Sequence, residues 1–271
     1  PLIAKFYRPQ RWSSEAIQEE LDFLQELHAD EVPVVPPIVV QGRTLFQHQG
    51  FDFALFPRRG GHAPELSSAT DLELIGRWLA RIHLVGLDSP FQHRPQLHLP
   101  NLMRQAQRDV LESTLIPSDY RSNYQALTQE IINISQALWQ PQSLQSLRLH
   151  GDLHVGNLLL RDQALFFVDF DDCLQGPAMQ DIWMLLSGRD DEQQQLEAIA
   201  KGYELFRTFP MHERGLIELL RSARIVKHTA WLAKRWQDPA FPYAFPWFTG
   251  HQYWSEHILN LREQIAELEH R

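Results

Sequence analysis

The sequence predicts an α+β chain in which a small β-rich segment precedes a larger, mainly helical remainder. Three observations predict it. Residues 1–56 hold apolar runs of strand length around one amphipathic stretch, apolar residues recur at helical spacing from Asp71 onward, and one polar loop near residue 150 is bracketed by two further strand-length runs. With 271 residues, 44% hydrophobic and 11% aromatic, the chain can fill one large domain or two modest ones.

Residues 2–7 read as a strand that Pro9 ends, because proline cannot donate to a ladder. Ser13 or Ser14 offers an N-cap for a helix over 15–28, whose apolar face is Ile17, Leu21, Leu24 and Leu27. Glu15, Glu19, Asp22 and Glu26 fall opposite that face, whereas Glu20 shares the series 17, 20, 24, 27 and points inward. Pro33, Pro36 and Pro37 make a stiff connector, after which 38–40 and 44–46 predict a hairpin around Gln41-Gly42, followed by a strand at 51–56. The run Pro57-Arg58-Arg59-Gly60-Gly61 breaks this pattern and marks a boundary between residues 1–58 and 59–271. Helices are expected near 71–86, 101–112, 119–139, 179–187, 191–207, 213–237 and 251–269, with strands at 147–150 and 165–168. The aromatic-rich stretch 231–254 predicts core packing of the last helices or, on a second reading, a cage for a cation.

A net charge of -9 argues against general nucleic-acid binding, which needs clustered Lys and Arg. The single cysteine, Cys173, cannot form an intrachain disulfide. No apolar run is long enough to span a bilayer and the start lacks a signal-peptide layout, so a cytoplasmic protein without a membrane partner is expected.

The chemistry lies in His150-Gly151-Asp152-Leu153-His154-Val155-Gly156-Asn157, followed twelve residues later by Asp169 in Val168-Asp169-Phe170-Asp171-Asp172. Phosphoryl transfer from ATP needs a carboxylate to take the proton of an attacking hydroxyl, and oxygen ligands for the magnesium that neutralises phosphate charge. Asp152 suits the first task. Asn157, five residues on, and Asp169 suit the second, at the spacing of the kinase set Asp-x-x-x-x-Asn with its Asp-Phe-Gly-like turn. Any one aspartate beside glycines is ordinarily a turn former; typed positions at fixed spacing between two apolar strands are not. A zinc site on His150 and His154 is the weaker reading, because the glycines oppose the helix that would bring both rings together. Lys5 has the strand context of a phosphate-gripping lysine with Glu20 as its ion-pair partner, although an edge-strand lysine that discourages aggregation would look the same. Asp181 reads equally as an anchor for the loop backbone or as a first-turn aspartate.

These residues resemble the aminoglycoside-phosphotransferase and choline-kinase-like superfamily, which carries His-Gly-Asp-x-His-x-x-Asn followed by Asp-x-Asp and of which His154 is the mark. Lys5-Phe6-Tyr7-Arg8-Pro9 with Arg11-Trp12, Glu31-Val32-Pro33-Val34, Pro177-Ala178 with Gln180-Asp181, Trp183-Met184-Leu185-Leu186, Trp236 and Asp238-Pro239-Ala240-Phe241-Pro242 extend the likeness to a bacterial stress-response branch over nearly the whole chain. The resemblance implies a bilobal protein-kinase-like fold, a cytoplasmic serine/threonine protein kinase, ATP as co-substrate and Mg2+ as cofactor. By position it makes Asp152 the base, Asn157 and Asp169 the metal ligands, Lys5 the phosphate contact and Glu20 its partner. In that family two more strands and a glycine-rich phosphate-covering loop precede the lysine strand, so residues 1–58 are expected to be a truncated nucleotide-binding lobe and 59–271 the helical lobe with the acceptor site. A kinase for a small hydroxylated or cationic acceptor, or an inactive binding module, are the alternatives.

Overall fold

The computed structural model describes residues 1–66, 68–162 and 164–270. In chain order it opens with β1 (Leu2–Phe6), α1 (Ser14–Ala29), β2 (Leu45–His48), β3 (Phe51–Pro57), α2 (Ala69–Leu87), α3 (Leu99–Glu112) and α4 (Ser118–Leu138). It continues with β4 (Leu147–Leu149), β5 (Leu158–Arg161), β6 (Ala164–Phe167), β7 (Leu174–Gly176), α5 (Met179–Ile182), α6 (Glu192–Tyr203), α7 (Ile217–Arg235), α8 (Ala240–Ala244) and α9 (His251–Glu269). Two compact units result, Pro1–Gln96 with Gln145–Met211, and Leu97–Leu144 with His212–Arg271. The boundary read at residue 58 falls inside the first unit.

In the first unit β1, β3 and β2 form an antiparallel sheet in that order, with Lys5 opposite Ala54. Ser13 is the cap of α1, its hydroxyl accepting from the Ala16 N–H at 3.2 Å. Ile17 and Leu21 of α1 pack on Tyr7 and Ala54, with Trp12, Leu45 and Phe56 at the margin. The hairpin differs from expectation. It joins β2 to β3 through Gln49-Gly50, whereas Gln41-Gly42 supports a single bridge between Val40 and Arg43. Both dipeptides reach positive φ, but Pro36 and Pro37 strip donors from the run before residue 38, and only Ile38 reaches β3, donating to the Leu55 carbonyl at 2.7 Å.

α2 is closed by a capping box between Ser68 and Asp71 and packs on α6 through glycines. A Cβ at Gly76 would stand 2.1 Å from the Ile199 carbonyl oxygen, and one at Gly202 would stand 1.8 Å from that of Glu73. Buried Arg148 of β4 ties α1 to α2, donating to Glu26 at 2.6 Å and to the Val85 carbonyl at 2.8 Å over the Phe23 ring. The helix expected over 179–187 is α5 plus a 3-10 turn ending at Leu185. Strands β5 and β7 were not expected.

In the second unit α7 packs on α3 and α9, and α4 on α9. Glu218 is buried and accepts from Gln264 at 2.8 Å and Arg221 at 2.9 Å. Tyr124 and Trp254 are fully buried and meet edge to face at 5.7 Å. His257 lies between Tyr124 and Tyr253, with Nε2 3.3 Å from the Thr229 hydroxyl. α8 was also unexpected, falling in the stretch left between the helices expected at 213–237 and 251–269, and it starts from Pro239.

Two measurements test this packing. Gly202→Ala should cost at least about 2 kcal/mol in urea unfolding because its methyl meets backbone that cannot move aside, whereas Gly188→Ala, with nothing within 4 Å, serves as the neutral control. Burial, with His228 adding, pulls His257 from its ordinary 6.5 down to about 4. Between those values the unfolded chain binds the extra proton, so unfolding free energy should drop by roughly 3 kcal/mol from this group as the pH is lowered from 6.5 to about 4, and His257→Gln should flatten that slope.

Candidate active site

Loop 150–157 is held at both ends by short ladders. β4 pairs with β7, Leu149 opposite Leu174, and β5 pairs with β6, Leu158 opposite Phe167. The turn at its start depends on Gly151, whose φ is +85° and whose Cβ, if present, would lie 2.2 Å from the Asp172 carbonyl oxygen. Beneath it Asp181, fully buried, accepts from the His150 N–H at 2.9 Å and the Gly151 N–H at 2.8 Å. Both sequence readings of Asp181 hold: it lies in the first turn of α5 and anchors the loop backbone.

His150 is a packing residue. Its Nε2 donates to the Val168 carbonyl at 2.9 Å, its Nδ1 accepts from the Asp152 N–H at 3.3 Å, and its ring lies 4.4 Å from that of Phe170. With both ring nitrogens engaged it has none for a metal, which removes the zinc reading. His83 backs the anchor, with Nε2 3.5 Å from Asp181 and Nδ1 2.9 Å from the Tyr203 hydroxyl. Burial holds His83 below the usual histidine range, against the pull of Asp181.

Asp152 emerges from this loop with its side chain 30% exposed and Oδ2 3.6 Å from His154 Nε2. Asn157 donates from Nδ2 to the Asp152 carbonyl at 2.9 Å, which leaves Oδ1 as its atom for a cation. The β5–β6 register makes Asn157 and Val168 the next pair, with the Val168 N–H donating to the Asn157 carbonyl at 3.0 Å. Residues twelve apart in sequence are thereby brought to one end of one hairpin. Asp169 follows directly in the left-handed region, φ +64°, with its side chain 60% exposed. An amide oxygen and an exposed carboxylate suit a hard divalent cation that shares its remaining positions with water or phosphate.

Lys5 meets three carboxylates, with Nζ 2.8 Å from Glu20, 3.3 Å from Asp171 and 3.8 Å from Asp169. Burial alone would lower its pKa; Glu20, Asp171 and Asp169 outweigh that and hold the ammonium above its ordinary value. Glu20 is 1% exposed and also accepts from the Tyr7 hydroxyl at 3.2 Å and from Arg94 at 2.8 Å. Burial, with Glu20 and Asp171 nearby, pushes the Tyr7 phenol up, so it stays a donor. Arg11 closes the group from the β1–α1 connection, 2.5 Å from Asp171 and 3.0 Å from Asp172.

The structure thus gathers Lys5, Glu20 and Asp169 around one ammonium, and Asp152 and Asn157 on the adjoining loop. Sequence reasoning missed Arg94, Tyr7, His83 and the role of Glu19. Arg94 carries no motif, and nothing short of the tertiary contact could single it out. Glu19 and Glu26, placed on the solvent side of α1, both have partners: Glu26 meets Arg148, and Glu19 accepts the N–H groups of Gln92, His93 and Arg94 at 2.6, 2.9 and 2.9 Å.

A profile of the phosphotransferase enzyme family matches residues 1–216. The stress response kinase A of Escherichia coli (strain K12) is 45% identical over 268 residues, covering 98% of this chain and 81% of that protein. The serine/threonine protein kinase RdoA of Salmonella typhimurium is 44% identical over 267 residues with the same coverage. Among solved structures, amicoumacin kinase hAmiN in complex with AMP-PNP, Ca2+ and Ami superposes with a TM-score of 0.74 at 19% identity, over 98% of this chain and 81% of that one. Choline kinase LicA from Streptococcus pneumoniae gives 0.68 at 14% identity, over 98% and 86%. Such distant neighbours establish the kinase-like α+β fold and the close relatives the lineage: the chain belongs to the phosphotransferase enzyme family and is a kinase.

Proposed function

We propose that the chain transfers the γ-phosphoryl group of ATP, with magnesium, to a serine or threonine hydroxyl of a protein in a bacterial stress response. The observation that carries this reading is the loop pinned by Asp181, which presents Asp152 beside Asn157 and beside the turn that bears Asp169. Asp152 orients the acceptor hydroxyl and takes its proton as the oxygen attacks phosphorus; the bond to the bridging oxygen breaks and ADP leaves. Asn157 Oδ1 and the Asp169 carboxylate would hold the cation, which when bound offsets phosphate charge. Lys5, kept charged and aimed by Glu20, grips the α- and β-phosphates. Residues 1–58 supply these nucleotide contacts and the remainder the acceptor side.

Two features bear on acceptor and location. The ring faces of Trp231 and Phe241, two members of the aromatic stretch, already carry the guanidinium of Arg235 at 5.2 and 5.6 Å, which disfavours a cationic metabolite on those two rings. Among the described residues no helix is long and apolar enough to cross a membrane, and the cytoplasm is the proposed location.

Label transfer from γ-phosphate-labelled ATP in magnesium, to the chain itself, generic proteins and a panel of amino alcohols, is the test. Labelled protein is expected, with Asp152→Asn lowering transfer by about a hundredfold or more. Label on a metabolite alone would move the chain to the small-molecule kinases, and no transfer would leave a binding role. Asp181→Asn should separately cost about 1–3 kcal/mol in unfolding, since an amide cannot accept at both former oxygens and leaves a buried N–H unpaired. Transfer should fall with it, and a variant matching the parent in both would show that the loop is ordered without this anchor.

A further inference from the structure

α1 carries the glutamate on which Lys5 depends, and the structure fixes that helix from a direction the sequence does not advertise. Segment 91–96 follows α2 and runs beside the start of α1. It is itself secured to β7, the Gln175 N–H donating to the Pro95 carbonyl at 2.9 Å and the Phe91 N–H to Gln175 Oε1 at 3.2 Å. From this platform two adjacent acidic residues of α1 are taken by different means: Glu19 receives the consecutive N–H groups of Gln92, His93 and Arg94, and Glu20 receives the Arg94 guanidinium.

Arg94 is the centre of the arrangement. Its side chain is fully buried and lies over the Trp12 ring at 4.5 Å. Nε donates to the Ala16 carbonyl at 2.7 Å, Nη1 to the Asp171 carbonyl at 2.7 Å and Nη2 to Glu20 Oε2 at 2.8 Å. One rigid planar fork therefore ties the first turn of α1, the Glu20 carboxylate and the backbone just beyond Asp169. These are the elements that supply the carboxylates around Lys5. Lysine, a single point charge on a flexible stem, could not hold all three at once.

We propose that Arg94 is a positioning residue that locks α1 and the Asp169–Asp172 turn in register, so that the Lys5–Glu20 pair stands assembled and moving α1 is not a control point of this kinase. In kinases generally that ion pair must be in place before transfer, and helix position is a common means of control. Here a swing of α1 would leave the buried Arg94 guanidinium without the Glu20 carboxylate and the Ala16 carbonyl it donates to. The inference rests on the proposed roles of Lys5 and Glu20.

The test compares Lys5→Met, Glu20→Gln, Arg94→Met and the Glu20→Gln/Arg94→Met pair in the whole chain. It reads turnover of labelled ATP at saturating nucleotide, to protein or to water, alongside urea unfolding. Arg94→Met is expected to lose about tenfold or more in turnover, since small misplacements of reacting groups are costly. The pair should lose no more than the worse single variant, because both act through one carboxylate; Arg94→Lys should recover part of the rate. Independent, multiplying losses, or full turnover in folded Arg94→Met, would overturn the lock. If Arg94→Met does not fold, Glu19→Gln decides instead, with a smaller loss expected and parental turnover overturning. Parental turnover in Lys5→Met would strike the proposed site itself, whereas an inactive Lys5→Met beside a fully active Arg94→Met would strike the lock alone.

Discussion

A carboxylate with no exposure has to find donors, and Asp181 finds them in the backbone of loop 150–157, the loop proposed to carry the chemistry. Burying it without partners would cost several kcal/mol, so the fold is stable only with the His150 and Gly151 amides turned toward it. Gly151 is required in turn, because those amides point downward only if the chain takes a positive φ where any Cβ would strike the Asp172 carbonyl. From that one demand follow the direction of Asp152, the place of the His150 ring against Phe170 and the entry of the chain into the β5–β6 hairpin. The loop is short, but its geometry is settled from below.

A second buried carboxylate organises the sheet side. Glu20 is shared by Lys5, Tyr7 and Arg94, and Lys5 is shared by Glu20, Asp171 and Asp169. Such a network is strong only when every member is satisfied, since a charge left alone in a low dielectric costs more than a lost surface contact. Arg11 pairs with Asp171 and Asp172 and Arg94 holds the Asp171 carbonyl, so the acidic turn after Val168 can bring Asp169 and Asp171 beside one ammonium. An excess of negative charge remains exposed at Asp169, where a cation is proposed to bind.

Loop 150–157 was legible because its information is local. Asp152, Asn157 and Asp169 stand at fixed separations, the glycines between them announce a turn, and the flanking apolar runs are strands. The N-cap at Ser13 and the inward face of Glu20 were legible for the same reason, being properties of one helix and its period. The hairpin was misplaced because Gln41-Gly42 and Gln49-Gly50 carry equal turn chemistry, and the choice between them lay with prolines upstream and with the partner available to β3. Glu19 looked like a solvent residue because helical periodicity reports only which face is apolar, not which other segment arrives at the polar one.

The sequence by itself determined the α+β class and the three oxygen-bearing residues Asp152, Asn157 and Asp169, which depend on short-range pattern, where spacing and residue type suffice. The family and the pairing of Lys5 with Glu20 came from resemblance, the strand and helix periods leaving Lys5 open to an edge-strand reading. Only the tertiary structure decided that Asp181, in the first turn of α5, also anchors the loop, and that Arg94, 74 positions from Glu20, is a further partner of that carboxylate. It also decided that Arg235 lies over the rings of Trp231 and Phe241, two members of the aromatic stretch. Each of these turns on which distant segment fills a given space, and a hydrogen bond between residues far apart in the chain leaves no period and no motif behind.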